Sequence, residues 1–292
     1  MNNIIEQPIV LTEENDFLGT LKKAEAITNF IEHNEKLLSI NNMIALYGEW
    51  GSGKSSILRT IEDKLDKEKY ETIWIDMWKE ESDYTNLNIK ILNKIFSSLN
   101  IKSEIKKDLL KSFLILGKGI KINAGLISYD MGSAFEQLNK ELENSQKTEN
   151  FIIDFQKHID KYFKDTGKQI VVFLDDLDRC NNDNMLNIIY NIKLLLSVRN
   201  IIFIFGIDRN AVTLALKNKY NNEENKADSF LEKIFPISFN VPNELVNKKN
   251  LDIVIKNFFP DLEAKLYENL RNFFNDIEVT NPRKVIKVLK IL

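Results

Sequence analysis

Gly48-Glu49-Trp50-Gly51-Ser52-Gly53-Lys54-Ser55 fits the pattern G-x-x-x-x-G-K-[ST]. It stands between an apolar run, Met43 to Tyr47, and a helical pattern carrying Ile57, Leu58, Ile61 and Leu65. Strand, glycine-rich loop and helix in that order form a phosphate-binding P-loop: the glycines let the backbone fold around an anion, and the N–H groups at the helix start point at it. The cradle is expected to run from Gly48 to Ser56. Within it, Lys54 carries a compact positive charge to the β- and γ-phosphates and the Ser55 hydroxyl ligates Mg²⁺. Trp50, inside the loop, is expected to cover it.

A nucleotide site also needs an apolar strand ending in acid, and Ile170-Val171-Val172-Phe173-Leu174-Asp175-Asp176 supplies one. This has the form of a Walker B strand. A carboxylate at the end of a buried strand is costly to desolvate unless a cation or hydrogen bonds receive it. Asp175 is therefore assigned to Mg²⁺, and Asp176 to orienting the attacking water as general base. Asp178 and Arg179 follow at once; they read equally well as an ordinary turn with a local ion pair.

The hexapeptide Asp175-Asp176-Leu177-Asp178-Arg179-Cys180 resembles the signature of the KAP family of P-loop NTPases. Further blocks match in the family's order: Asp16-Phe17-Leu18-Gly19, Ile75-Asp76-Met77-Trp78, Phe205-Gly206-Ile207-Asp208-Arg209, Phe230-Leu231-Glu232-Lys233-Ile234-Phe235 and Asn281-Pro282-Arg283. The resemblance implies a C-terminal helical lid in which Arg283 senses the γ-phosphate. It also implies bacterial roles in defence against phage or exclusion of mobile elements. Many members carry transmembrane helices between the two Walker motifs. The insertion is present here, but no run approaches the roughly 18 apolar residues that a span requires, and the soluble branch is expected.

Composition agrees with a cytoplasmic protein: 292 residues, 43% hydrophobic, 28% charged, formal net charge -3. The lone Cys180 excludes an internal disulfide framework and reads as a small buried or half-buried residue, and no signal sequence opens the chain. The weakly acidic balance exerts no overall pull toward nucleic acid. Lysine clusters at Lys102 to Lys111 and Lys284 to Lys290 leave local basic patches open, and nucleic-acid binding stays undecided.

Alternating apolar runs and helical patterns predict an α/β fold, a mainly parallel sheet sandwiched by helices, with ligand at the carboxyl ends of the strands. The expected parts are a leader and helix (1–40), the P-loop core (41–242, with an insertion at about 101–147) and the helical lid (243–292). Helices are expected over Leu21 to Leu38, Lys54 to Leu65, Leu87 to Leu99, Phe151 to Phe163 and Met185 to Val198. Strands are expected at 43–47, Thr72 to Asp76, Gln169 to Leu174, Ile201 to Ile207 and Ile237 to Val241. Trp78, at a strand end, is expected in the core.

Only six of the 40 basic residues are arginine, and three of these, Arg179, Arg209 and Arg283, fall inside the family-like blocks. A guanidinium retained in a lysine-rich chain points to phosphate or carboxylate recognition, although a structural ion pair meets the same need. Arg179 is a candidate arginine finger across a subunit interface, and Asp208 a candidate hydrogen-bond partner near the γ-phosphate. Asn225-Lys226-Ala227-Asp228 has the letters of a guanine reader but follows a polar stretch with no strand, so ATP is preferred over GTP. Two classes of function remain: a Mg²⁺-dependent ATPase switch or assembly motor, and a nucleotide-binding scaffold without turnover. The apolar final helix, Val285 to Leu292, suggests an interface with another copy or a protein partner, or continuation into a longer chain.

Overall fold

The computed structural model describes residues 7–16, 18–77, 87–99, 101–102, 105–106, 109–110, 146–219, 224–241, 251–252, 254–256, 259–276 and 282–291. Most of the expected insertion over 101–147 lies outside them, as do Phe17, Trp78, the Pro242-Asn243 boundary, Asn281 and Leu292.

Five strands form one sheet: β1 (Met43–Tyr47), β2 (Tyr70–Asp76), β3 (Gln169–Asp175), β4 (Ile201–Ile207) and β5 (Ile237–Asn240), in the order β2-β3-β4-β1-β5. β3 runs parallel to both β2 and β4. Burial follows position. Every residue of β1, β3 and β4 is buried, whereas β2, at one edge, mixes buried and partly exposed positions and β5, at the other, alternates between partly exposed and exposed ones. Continuous Val/Ile/Leu/Phe runs are what strands covered on both faces require.

The helices are α1 (Leu21–His33), α2 (Glu35–Leu38), α3 (Lys54–Lys64), α4 (Leu87–Ser98), α5 (Gln146–Thr166), α6 (Asn182–Asn191), α7 (Arg209–Lys219), α8 (Glu224–Ile234), α9 (Ala264–Asp276) and α10 (Pro282–Ile291). The helix expected from Leu21 to Leu38 breaks at Asn34, which leaves the helical region (φ -123°, ψ 39°). Leu38 is nonetheless buried, as the apolar spacing demands. The helix expected to reach Val198 stops at Asn191 and continues as a π-helical turn, Ile192–Leu196. None of the described helices is long and apolar enough to cross a membrane.

The chain forms two compact units. Leader, P-loop helix and C-terminal helices, assigned by composition to three parts, belong to one of them: Met1–His33, Leu46–Leu65 and Asn240–Leu292. In this unit α1 buries Leu21, Ala24, Ile27 and Ile31, and α3 buries Ile57, Leu58 and Ile61. Asp16 caps α1, its two carboxylate oxygens accepting from Thr20 N (2.8 Å) and Leu21 N (2.9 Å), which gives the leader its local structure. The leader is also tied to α3, where Ile9 N donates to Ser56 Oγ (3.3 Å) and Leu11 N to Thr60 Oγ1 (2.8 Å). Leu251, Val254, Ile255, Phe274, Val285 and Leu289 make the C-terminal core. At its side Asp252 meets Arg271 (3.4 Å), and the Tyr267 hydroxyl is pushed up to about 12 by desolvation and then by its bond to Asp252.

The other unit, Asn34–Ala45 and Asp66–Phe239, holds most of the sheet. Its core is aromatic: Trp74 stacks on its β3 neighbour Phe173 (5.6 Å), Phe155 meets both Phe96 and Phe151, and Phe205 meets Phe235. Each such fully buried phenylalanine stabilises the fold by roughly 2–3 kcal/mol. Asn42, 3% exposed, joins the entrances of β1 and β4. Its Nδ2 donates to Val198 O (2.8 Å) and Ile201 O (2.9 Å), its Oδ1 accepts from Ser197 Oγ, and its carbonyl accepts from Phe203 N. Asn42→Ala strands two buried carbonyls and a hydroxyl, and is expected to lower stability by on the order of 3 kcal/mol. Urea unfolding should show a lower midpoint with an unchanged slope; an unmoved midpoint contradicts the bracket.

Candidate functional site

The loop after β1 owes its shape to glycine at defined positions. Gly51 and Gly53 have φ of 81° and 93°, a region that side chains strain to enter. Gly48 has another reason: a Cβ there would lie 2.5 Å from Ser52 Oγ and 3.1 Å from both Lys54 Cγ and Val241 Cβ. A Cβ on Gly53 would lie 3.2 Å from Leu18 Cδ1. The loop closes on itself through Ser52 N to Glu49 O (3.1 Å) and passes into α3 through Ile57 N to Gly53 O (3.1 Å).

Lys54 is 7% exposed, and its ammonium donates to Gly48 O (2.8 Å) and Glu49 O (3.1 Å) across the loop. Ser52 is equally buried, and its Oγ has no hydrogen-bond partner. A buried hydroxyl of this kind calls for an acceptor or donor from a ligand. Buried ammonium, unsatisfied hydroxyl, a cradle that a Cβ would fill and the first turn of α3 together form a donor set suited to phosphate. The Ser56 hydroxyl, counted with the loop on sequence, is engaged by Ile9 N.

Trp50 is 49% exposed, and the Arg283 guanidinium lies over its ring, 4.4 Å from the centroid. Cation–π attraction of this type holds a cation on an indole face. The first turn of α10 is thus carried to the P-loop within the same unit, and the sequence offered no signal pairing these two residues.

In the other unit, β3 ends on Asp175, which is 4% exposed. Its Oδ1 accepts from Asp176 N (3.0 Å) and its carbonyl from Met77 N (2.9 Å). Asp176 takes a left-handed conformation (φ 59°, ψ 27°) and opens a 3₁₀ turn, Leu177–Arg179. Arg179 folds back within this turn, its Nη2 lying 2.8 Å from Asp176 Oδ1. Asn181 then caps α6 by accepting from Asn184 N (2.9 Å). Asp76 is the register partner of Asp175, as Trp74 is of Phe173, so the two carboxylates share one face of the sheet. Sequence reading gave Asp76 no role, although β2, like β3, visibly ends in acid.

Two further candidates stand where β4 passes into α7. Asp208 caps α7 through Asn210 N (2.9 Å), and Arg209 pairs with Asp228 (2.9 Å). Asp228, the last residue of the guanine-reader match, lies inside α8, bound to Arg209, with Ala227 fully buried beside it. Cys180 is buried.

Comparison with known proteins agrees with this architecture. The model of the KAP family P-loop domain matches residues 22–291. The uncharacterized protein MJ0182 of Methanocaldococcus jannaschii is 30% identical over 174 residues, covering 46% of this chain and 89% of that protein. MJ0183 of the same organism is 51% identical over 43 residues, covering 15% of this chain and 90% of its own. Among solved structures, the Aeropyrum pernix ORC2 protein in ADPNP-ADP complexes aligns at a TM-score of 0.41 and 12% identity, covering 88% of this chain and 53% of that one. With the family model spanning nearly the whole chain, the chain belongs to the KAP family of P-loop NTPases.

Proposed function

We propose that the chain is a Mg²⁺-dependent ATPase that works as a switch or assembly motor. The observation that carries this reading is the loop itself: the buried Lys54 ammonium and the unsatisfied Ser52 hydroxyl converge inside a turn that leaves no room for a Cβ at Gly48. Lys54 meets the β- and γ-phosphates, and the backbone from Gly48 to Ser56 receives the rest of the anion. Ser55 and Asp175 are the groups suited to Mg²⁺, which when bound neutralises charge developing on the phosphate oxygens. Asp176 accepts the proton of the attacking water as general base. Arg283 leaves or keeps its place on Trp50 according to the γ-phosphate, so that α10 reports the nucleotide state to a second copy or a protein partner. A cytoplasmic setting, with a role in defence against phage or exclusion of mobile elements, rests on the family resemblance and enters the proposal on that footing.

A second reading, nucleotide binding without turnover, is favoured by one observation: the Asp176 carboxylate is held by Arg179 at 2.8 Å. Phosphate release by the purified chain separates the two.

Lys54→Ala removes the loop's cation and is expected to weaken ATP binding by about 100-fold with the fold intact; unchanged affinity by calorimetry sinks the phosphate-site reading. Asp176→Asn keeps the side-chain volume but not the proton acceptor, so turnover should fall by on the order of 10³ while ATP and Mg²⁺ still bind. Hydrolysis at the wild-type rate assigns the base elsewhere. Arg283→Ala uncovers the Trp50 ring. The change in tryptophan emission on adding a non-hydrolysable ATP analogue, isolated by comparison with Trp50→Phe, should disappear in this variant; an unaltered change detaches Arg283 from nucleotide sensing.

A further inference from the structure

We propose that α10 is a docking stripe for nucleic acid, which it holds through the phosphodiester backbone and without regard to base sequence. This contact lies outside the nucleotide chemistry proposed above and does not rest on it.

The sequence of the helix sets the stripe. Pro282–Ile291 carries Arg283, Lys284, Lys287 and Lys290 and no acidic residue. No other helix among the described residues combines four cations with no acid; α3, for example, sets Glu62 and Asp63 against Lys54, Arg59 and Lys64. Opposite charges three or four residues apart offset one another on a helix surface, and α10 has no such pair within itself. Apolar spacing then turns the cations outward. Val285 and Leu289, each 2% exposed, sit in the C-terminal core, while Lys284, Lys287 and Lys290 are all exposed. At intervals of three residues the lysines make one row, about 9 Å from first to last along the helix axis. Arg283, at the head of the row, is engaged with the Trp50 ring, so the three lysines are the contacts of the stripe.

The chemistry of the row selects its occupant. Evenly spaced charges of one sign fit a polymer that repeats the opposite charge at even intervals, as a phosphodiester strand does. Lysine ammoniums on four-carbon stems meet phosphates as point charges and need no fixed angle of approach. An anionic membrane would also require an apolar face to enter the headgroup boundary. The apolar face of α10 is already spent on the core. An acidic protein partner would bring an interface centred on buried apolar anchors, and Ile291, 85% exposed, is the one exposed apolar side chain among the described residues of this helix. The chain as a whole has a formal net charge of -3, so its overall field draws no polyanion and the attraction is local to α10.

The test uses the full chain and the anisotropy of labelled DNA of mixed sequence, single strands of about 20 nucleotides and duplexes of about 20 base pairs, between about 50 and 200 mM salt. Binding at the low-salt end is expected with a Kd no weaker than roughly 10⁻⁴ M, and log K on the duplex should fall against log salt with a slope of about -3. Lys287→Gln should flatten that slope by about one, and Lys284→Gln, Lys287→Gln and Lys290→Gln together should weaken binding by about tenfold or more. The triple variant keeps Arg283, Val285 and Leu289, so its far-ultraviolet spectrum and Tm should match the wild type; if it unfolds instead, the Lys287→Gln slope decides alone. No binding at the low-salt end, or a slope unmoved by Lys287→Gln, overturns the proposal. Two other results also overturn it. Tighter binding, lost with the same lysines, to vesicles of about 30% phosphatidylserine makes the stripe a membrane contact. Tighter binding to polyglutamate of matched charge makes it a contact for an acidic protein.

Discussion

A buried ammonium must be received by oxygen, and in this chain the need is met by the backbone of the loop that precedes it. Lys54 donates to the carbonyls of Gly48 and Glu49, so the first residue of α3 ties the end of β1 to the helix start. Much of the local sequence follows from that closure. Gly48 has no space for a side chain because Ser52 and the lysine stem lie against it, and Gly53 takes a conformation that other residues resist. The loop is therefore shaped before any ligand is considered. Preorganisation of this kind spares a binding site the cost of ordering its donors when the anion arrives.

The acidic end of β3 shows the complementary constraint. Desolvated carboxylates at a strand terminus must find donors, and two devices provide them within a few residues. The Asp176 amide serves Asp175, and the Arg179 guanidinium serves Asp176. The left-handed turn at Asp176 makes both contacts from consecutive residues, which a continued strand could not do, because its side chains alternate between faces. Local backbone geometry thus does here what a cluster of distant side chains does elsewhere.

In the unit that holds the loop, the C-terminal helices are in touch with it through Arg283 on Trp50, while Leu18 of the leader lies against both Gly53 and the C-terminal core. Leader, loop and lid are distant in sequence. What joins them is apolar packing around Leu251, Val254, Ile255, Phe274, Val285 and Leu289, together with the capped entry to α1. A cation on an aromatic face is a weak bond, worth about 0.5–1 kcal/mol where exposed.

By itself the sequence determined which segments became strands, since runs such as Ile201 to Ile207 suit only positions buried on both faces, and it located the glycine loop and the acidic strand end, whose chemistry is local. Periodicity also marked Leu38 as a core position, although it could not foresee the break at Asn34, where the backbone of a single residue leaves the helical region. Only the tertiary structure decided the strand order and register that set Asp76 beside Asp175, the bracket from Asn42 to Val198 and Ile201, and the placing of Arg283 on Trp50. Those facts join residues far apart in the chain, and no propensity or spacing rule acts across such distances; they are settled by which burial and hydrogen-bonding arrangement satisfies all the buried groups at once.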